Sequence, residues 1–341
     1  MTFSTSKFIR TLGLTLMIGL VAAALLRLFG AFGEKPANPG DPAELIRTAT
    51  ENLEAVRRRK ASDRRPASYD SILAPLDKLL LKAREMLESE KYDPVNDYAK
   101  VRALTIPVID IATKADTQAR NETGMLTKEY RFNSQKAEAC QYLASALWDR
   151  INRTLPEQSG FFNEGTPYPA GDMQELRRIL DMGVQADPEN GELYYARGIL
   201  NRAEGLFGPA ARDLEQAAST RNSFPGAWNT LGLVRINLKE FDKAEAAFER
   251  ARAMALEEAN NLKQEPGAEY VAIVYNLAMF HENLASHYAR ENRISATVEN
   301  QRLLAKHTTE ARRYLQEFLQ REPSNSPDAK AAMAKLQALG R

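Results

Sequence analysis

Apolar residues recur along most of the chain at intervals of three and four, the period of an amphipathic helix. Leu45, Ile46, Leu53 and Val56 share one face behind an Asp41-Pro42 start. There Asp41 suits the N-cap and Pro42 the first helical position, so a helix is predicted to about Lys60. Leu73, Leu76, Leu79, Leu80, Ala83 and Leu87 form a second stripe, ending at Lys91-Tyr92-Asp93-Pro94. A third helix begins near Val95, and Pro107 is expected to kink or break it. From about Asn121 to Thr154 the pattern fits one long helix or two, with Tyr130, Ala137, Cys140, Leu143, Leu147 and Ile151 facing the core. No stretch sustains period-two alternation with β-branched enrichment, so no strand is expected and the class is all-α.

The pattern breaks at both ends of this region. Glu34 to Asp41 contains Pro36, Pro39 and Gly40 and reads as a linker. Leu155 to Asp172 carries Pro156, Gly160, Gly165, Pro167, Pro169 and Gly171 among Phe161, Phe162 and Tyr168. A loop this long with aromatics is either functional or an insertion pinned on the helices by its rings.

Further on, the chain resembles itself at a fixed spacing of 34 residues. Tyr194 falls over Trp228, Gly198 over Gly232, Phe207 over Phe241, Ala210 over Ala244, Leu214 over Phe248 and Ala217 over Ala251. Small residues suit places where two antiparallel helices nearly touch, and large ones fill the gaps between neighbouring hairpins. A single hairpin cannot bury its apolar face alone, so such units stack.

In Pro225 to Met254 the residues Trp228, Leu231, Gly232, Phe241, Ala244, Phe248 and Ala251 resemble the signature of the tetratricopeptide repeat (TPR) family. Arg235 stands where that family often has Tyr. The usual Pro is missing near Leu256, which predicts a longer second helix. Weaker matches flank the pair. Lys136 to Thr154 with Leu176, Leu180 and Asp187-Pro188 reads as an earlier hairpin. Tyr275 to Arg290 with Ala311, Leu315, Phe318 and Pro323 reads as a later one, in which about Asn292 to Thr308 is extra. The resemblance implies a TPR-like α-solenoid over residues 136–325, after a helical region at 42–135 and before a helical tail at 326–341. It also implies a groove lined by first helices. By register that groove takes Glu192, Tyr195, Ile199 and Arg202, then Asn229, Leu233, Ile236 and Asn237, then Asn276, Phe280 and Asn283. Asparagines suit a partner's backbone and the apolar residues its side chains, so the expected partners are other proteins.

The N-terminus alters the setting. Lys7 and Arg10 precede an uncharged run from Thr11 to Leu26, followed by Arg27 and then Leu28 to Phe32. A bilayer span needs about 20 residues. Residues 8–32 reach that length if Arg27 extends to the headgroups. A retained signal-anchor helix over residues 1–33 is expected. A cleaved signal peptide is the first alternative, since Ala31-Phe32-Gly33 offers small residues at the right spacing, and a buried soluble helix the second. Lys7 and Arg10 favour an exported body, a bias that Arg27, Lys35 and Arg47 weaken, so an exported body is expected and a cytoplasmic-facing one is the alternative.

Composition mostly excludes. Lys and Arg number 46 against 45 Asp and Glu, so nothing general draws the chain to nucleic acid. The run Arg57-Arg58-Arg59-Lys60 through Arg65 reads as a solvated helix end or as a patch for phosphates. One cysteine, Cys140, excludes an intramolecular disulfide or a cysteine-based zinc cage, and its apolar setting predicts an inert core thiol. His281 and His287 are six apart and share no helix face, and His307 sits in a polar helical context. No phosphate loop, nucleophile elbow or distinct carboxylate pair appears. No catalytic residue, metal, cofactor or small-molecule substrate is therefore expected, and an enzyme with its activity in the helical region at 42–135 is the last alternative. Asn121-Glu122-Thr123 and Asn152-Arg153-Thr154 match the glycosylation triplet, inside apparent helices.

Overall fold

A computed structural model describes residues 40–58, 69–123, 132–155, 168–220 and 224–340. Twelve helices and no strand occur among the described residues. In order they are α1 (Pro42–Arg57), α2 (Asp70–Leu87), α3 (Pro94–Thr123), α4 (Phe132–Thr154), α5 (Ala170–Ala186), α6 (Gly191–Ala203), α7 (Phe207–Ser219), α8 (Pro225–Asn237), α9 (Phe241–Leu262), α10 (Ala268–Ile294), α11 (Val298–Leu319) and α12 (Pro327–Leu339). None of them is long and apolar enough to cross a membrane. The expected membrane helix at residues 8–32 lies outside the described residues. So do Tyr130, most of the basic run after Arg57 and the centre of the aromatic loop. The described chain forms two compact units, one up to Leu200 and one from Asn201, with the division inside α6.

In the first unit α1 starts as expected, with the Asp41 side chain accepting from the Ala43 amide at 3.2 Å. It packs on α2, α2 on α3 and α4, and α4 on α5. Pro107 does not break α3, which runs continuously from Pro94 to Thr123. Proline removes one backbone donor, but Val101, Leu104, Val108, Ile111, Ala112 and Ala115 are buried on both sides of it and hold the rod together. The Asn121–Thr154 region resolves into the end of α3 and a separate α4. Ala137, Cys140, Leu143, Leu147 and Ile151 are all buried there. Burial raises the Cys140 thiol to about 12, as an inert core thiol requires. Gly183 of α5 is the tight contact: a Cβ there would lie 2.8 Å from the Leu193 side chain and 3.0 Å from the Cys140 Cβ. From the aromatic loop, Tyr168 stacks on Trp148 with ring centres 6.0 Å apart. Asn152 is buried, so its triplet is no glycosylation acceptor in the folded chain.

In the second unit α7 packs on α8, and each later helix on its predecessor. The 34-residue period holds down to single backbone bonds. Leu206 N donates to Asn201 O at 2.8 Å, and 34 residues on Glu240 N donates to Arg235 O at 2.9 Å. Gly205 and Lys239, again 34 apart, both have left-handed backbone, with φ of 74° and 60°. The turn demands that conformation to close the helix end, and glycine supplies it without steric cost. Gly232 is where two helices approach: a Cβ there would meet the Phe248 ring at 2.7 Å. Ala210, Leu214, Ala217, Leu231, Ala244, Phe248 and Ala251 are fully buried, as the repeat requires. Without a proline near Leu256, α9 runs on to Leu262.

Candidate partner-binding face

Helices α8 and α10 run parallel, each joined to the antiparallel α9 between them. The groove positions are spaced by three and four on these rods and so share a face. Their exposure is uneven. Asn229 is buried and its Oδ1 accepts from Asn276 Nδ2 at 3.0 Å, so two expected partner-binding asparagines bond each other. Phe280 is a core residue, 5.9 Å from Phe248 by ring centres, and does not reach a groove. Leu233 and Ile236 are half-buried against the core, beside Trp228 and Met279. Asn237 and Asn283 are exposed, although Asn237 Nδ2 also reaches Leu233 O at 3.3 Å. The accessible part of this face is thus a half-buried apolar strip edged by two asparagines.

Arg202 is half-buried in the same unit, next to Asn201, whose Nδ2 donates to the buried Asp213 at 2.8 Å. Arg235, the departure from the repeat signature, ties its own hairpin to the previous helix. It donates to Glu215 at 3.0 Å and to Lys243 O at 3.1 Å.

The other groove positions lie in the first unit. Tyr195 and Tyr194 are half-buried, Gly198 is buried and Ile199 belongs to the core. Glu192 is held by Gln141 of α4. Burial raises its carboxyl to about 7, against the opposing pull of that hydrogen bond. It is a polar packing residue rather than a free groove anion.

A cluster that the sequence pattern did not reveal joins α9, α10 and α11. His281 Nδ1 and His307 Nδ1 are 2.9 Å apart, with both rings buried. One nitrogen must donate and the other accept, so both rings cannot be charged together. Tyr314 stacks on His281 and Tyr288 on His307, at 5.7 Å between ring centres in each case. Glu245 stands 3.9 Å from His281 Nε2 and pairs with Lys306 at 3.3 Å. Burial, then repulsion from His307, lowers His281 to about 3, and burial also lowers His307. One and two turns along α9, Glu249 accepts from Tyr314 and Arg252 pairs with Glu317 at 3.0 Å. These bonds clamp α11 onto α9. Twenty-six residues separate the histidines, so no single-helix pattern exposes the pair. Among the described residues no three metal-ligating side chains converge.

No family model matches the chain. Among solved structures it is similar to a thermophilic TPR protein of Thermus thermophilus, at 16% identity over 70% of this chain and 99% of that one, with a TM-score of 0.33. It is also similar to a MamA RS-1 double mutant, at 15% over 65% and 99%, TM-score 0.31. Yeast Tom70 is a third, at 16% over 95% and 64%, TM-score 0.28. Scores of this size carry no argument, so the assignment stands on the chain's own turns, close approaches and 34-residue register. On those grounds the chain contains a TPR-like helical repeat, clearest from α6 to α9.

Proposed function

We propose that this protein is a non-enzymatic scaffold that binds other proteins through the α8–α10 face and is held at a membrane by residues 8–32. One observation carries the binding reading. Trp228, Leu233, Ile236 and Met279 stay only partly buried beside the exposed Asn237 and Asn283. Such a strip suits the apolar side of an extended segment or a helix. The uncharged run from Thr11 to Leu26 behind Lys7 and Arg10 supports the tether, and those two cations support a body on the exported side. In that setting the scaffold assembles or holds a larger envelope complex.

The test is crosslinking in the native membrane with Leu233→Arg and Asn237→Ala, both on that face. Loss of the same crosslinked partners in either variant supports the reading. Unchanged recovery in both removes the face from consideration. A second reading is favoured by the Asn229–Asn276 bond and by the burial of Phe280. In it the chain is a constitutive structural subunit whose repeat face is filled from within. Fixed stoichiometry in detergent pull-downs would select it over an exchangeable scaffold.

A further inference from the structure

Helices α10 and α11 depart from the repeat. The Asn276–Asn229 bond sets α10 in register with α8. From there α8 ends eight residues on, at Asn237, whereas α10 continues for eighteen, to Ile294. The α10–α11 hairpin therefore overhangs the preceding turn by ten residues, about 15 Å of helix. Its stem is closed by the His281–His307 bond and by Tyr288 on His307. Its tip is apolar. Ile294 is 81% exposed and Val298 83%, whereas no other exposed large hydrophobic among the described residues exceeds 59%. Arg290 and Arg293 lie beside them, exposed and without an ion-pair partner among the described residues. Arg302 pairs with Glu299 at 3.6 Å, and Glu291 is half-buried.

We propose that this tip docks on an anionic lipid surface, with Ile294 and Val298 entering the headgroup–acyl boundary and Arg290 and Arg293 meeting lipid phosphates. Two β-branched aliphatics standing in water gain by leaving it, and free guanidiniums suit phosphate oxygens. A patch this small holds no free protein at a membrane. It suffices for a chain already tethered there, because tethering turns docking into an intramolecular step at high effective concentration. The proposal thus rests on the tether at residues 8–32.

The full chain is reconstituted into vesicles of phosphatidylcholine alone or mixed with phosphatidylglycerol. An environment-sensitive fluorophore is placed on Ala296→Cys; Cys140 is buried and leaves the new thiol as the reactive one. In mixed vesicles the emission is expected to shift to the blue and to be quenched by spin-labelled lipid. Arg290→Gln with Arg293→Gln should weaken the docking equilibrium about thirtyfold. Ile294→Asn with Val298→Asn should abolish quenching while leaving the helical circular dichroism intact. A probe that stays open to aqueous iodide, in a chain that still floats with the vesicles, overturns the proposal and spares the tether. Protection from iodide without lipid quenching also overturns it, in favour of a protein occupant. A chain that does not float removes the tether and this proposal together.

Discussion

Acid should loosen the second unit through the His281–His307 pair. The folded pKa of His281 is lowered to about 3 from an ordinary 6.5, chiefly by burial. The sign follows from proton binding. Below pH 6.5 the unfolded chain takes up a proton that the folded chain refuses, so stability present above 6.5 is lost as pH falls towards 3. Between pH 8 and pH 5 the loss for His281 alone is about 2 kcal/mol, from RT ln(1 + 10^1.5) at 25 °C. His307 is shifted the same way and adds to it.

The raw pH profile does not isolate this effect. In the first unit, burial raises Asp149 and Glu192 to about 7, which changes stability in the opposite direction over the same range. The measurement is therefore a difference. Urea unfolding is followed by Trp228 fluorescence in a Trp148→Phe background, at pH 8 and pH 5, for the parent and for His281→Phe with His307→Phe. Phenylalanine keeps the stacking partners of Tyr288 and Tyr314 and removes both titrating rings. The parent should lose at least about 2 kcal/mol more than the variant on acidification. Equal losses, within about 0.5 kcal/mol, would show that the histidines are not held neutral, and the reasoning would fail.

Other perturbations read other parts of the fold. Gly232→Ala forces a Cβ to 2.7 Å from the Phe248 ring and should cost about 1–3 kcal/mol in thermal unfolding, with partial recovery when Phe248→Leu is added. Lys239→Gly should stabilise by roughly 0.5–1 kcal/mol in urea, because Lys239 has φ of 60° where the previous repeat has Gly205. Asn276→Ala strands the Asn229 amide in a buried site and should cost about 1–3 kcal/mol by the same measurement. The Asp149 carboxyl is raised by burial from 3.8 to about 7, so its contribution is present below pH 3.8 and lost as pH rises through 7. Asp149→Asn should remove roughly 2–3 kcal/mol of the stability difference between pH 5 and pH 8, read from paired melts.

The all-helical class was legible because burial on one face of a rod imposes its period on the sequence. Gly232 and Ala244 were legible for the related reason that close helix approach admits only small side chains. Pro107 misled, because local propensity counts one lost hydrogen bond and takes no account of the buried neighbours that keep α3 whole. Phe280 misled differently. Register put it on a groove, but Phe280 packs against Phe248 and is buried in the core. Gly183 went unremarked because its crowding comes from Leu193 of the next helix and Cys140 of the preceding one, and a pattern read along one helix shows neither.

The departures from the period are also where this chain differs chemically from a plain array. A repeat repeats its turns, so Gly205 and Lys239 share one backbone conformation whatever their side chains. Where α10 and α11 outgrow that plan, the extra length must be held by contacts the period does not supply. The histidine pair, the two tyrosine stacks and the Glu245–Lys306 bridge supply them within about three turns of the overhang's base. These are polar contacts in a buried setting, so their strength depends on protonation in a way that a leucine stem would not. The same stem carries the exposed Ile294 and Val298. Acid that separates the histidines should therefore also lower lipid contact at the tip, which couples two features that share no residue.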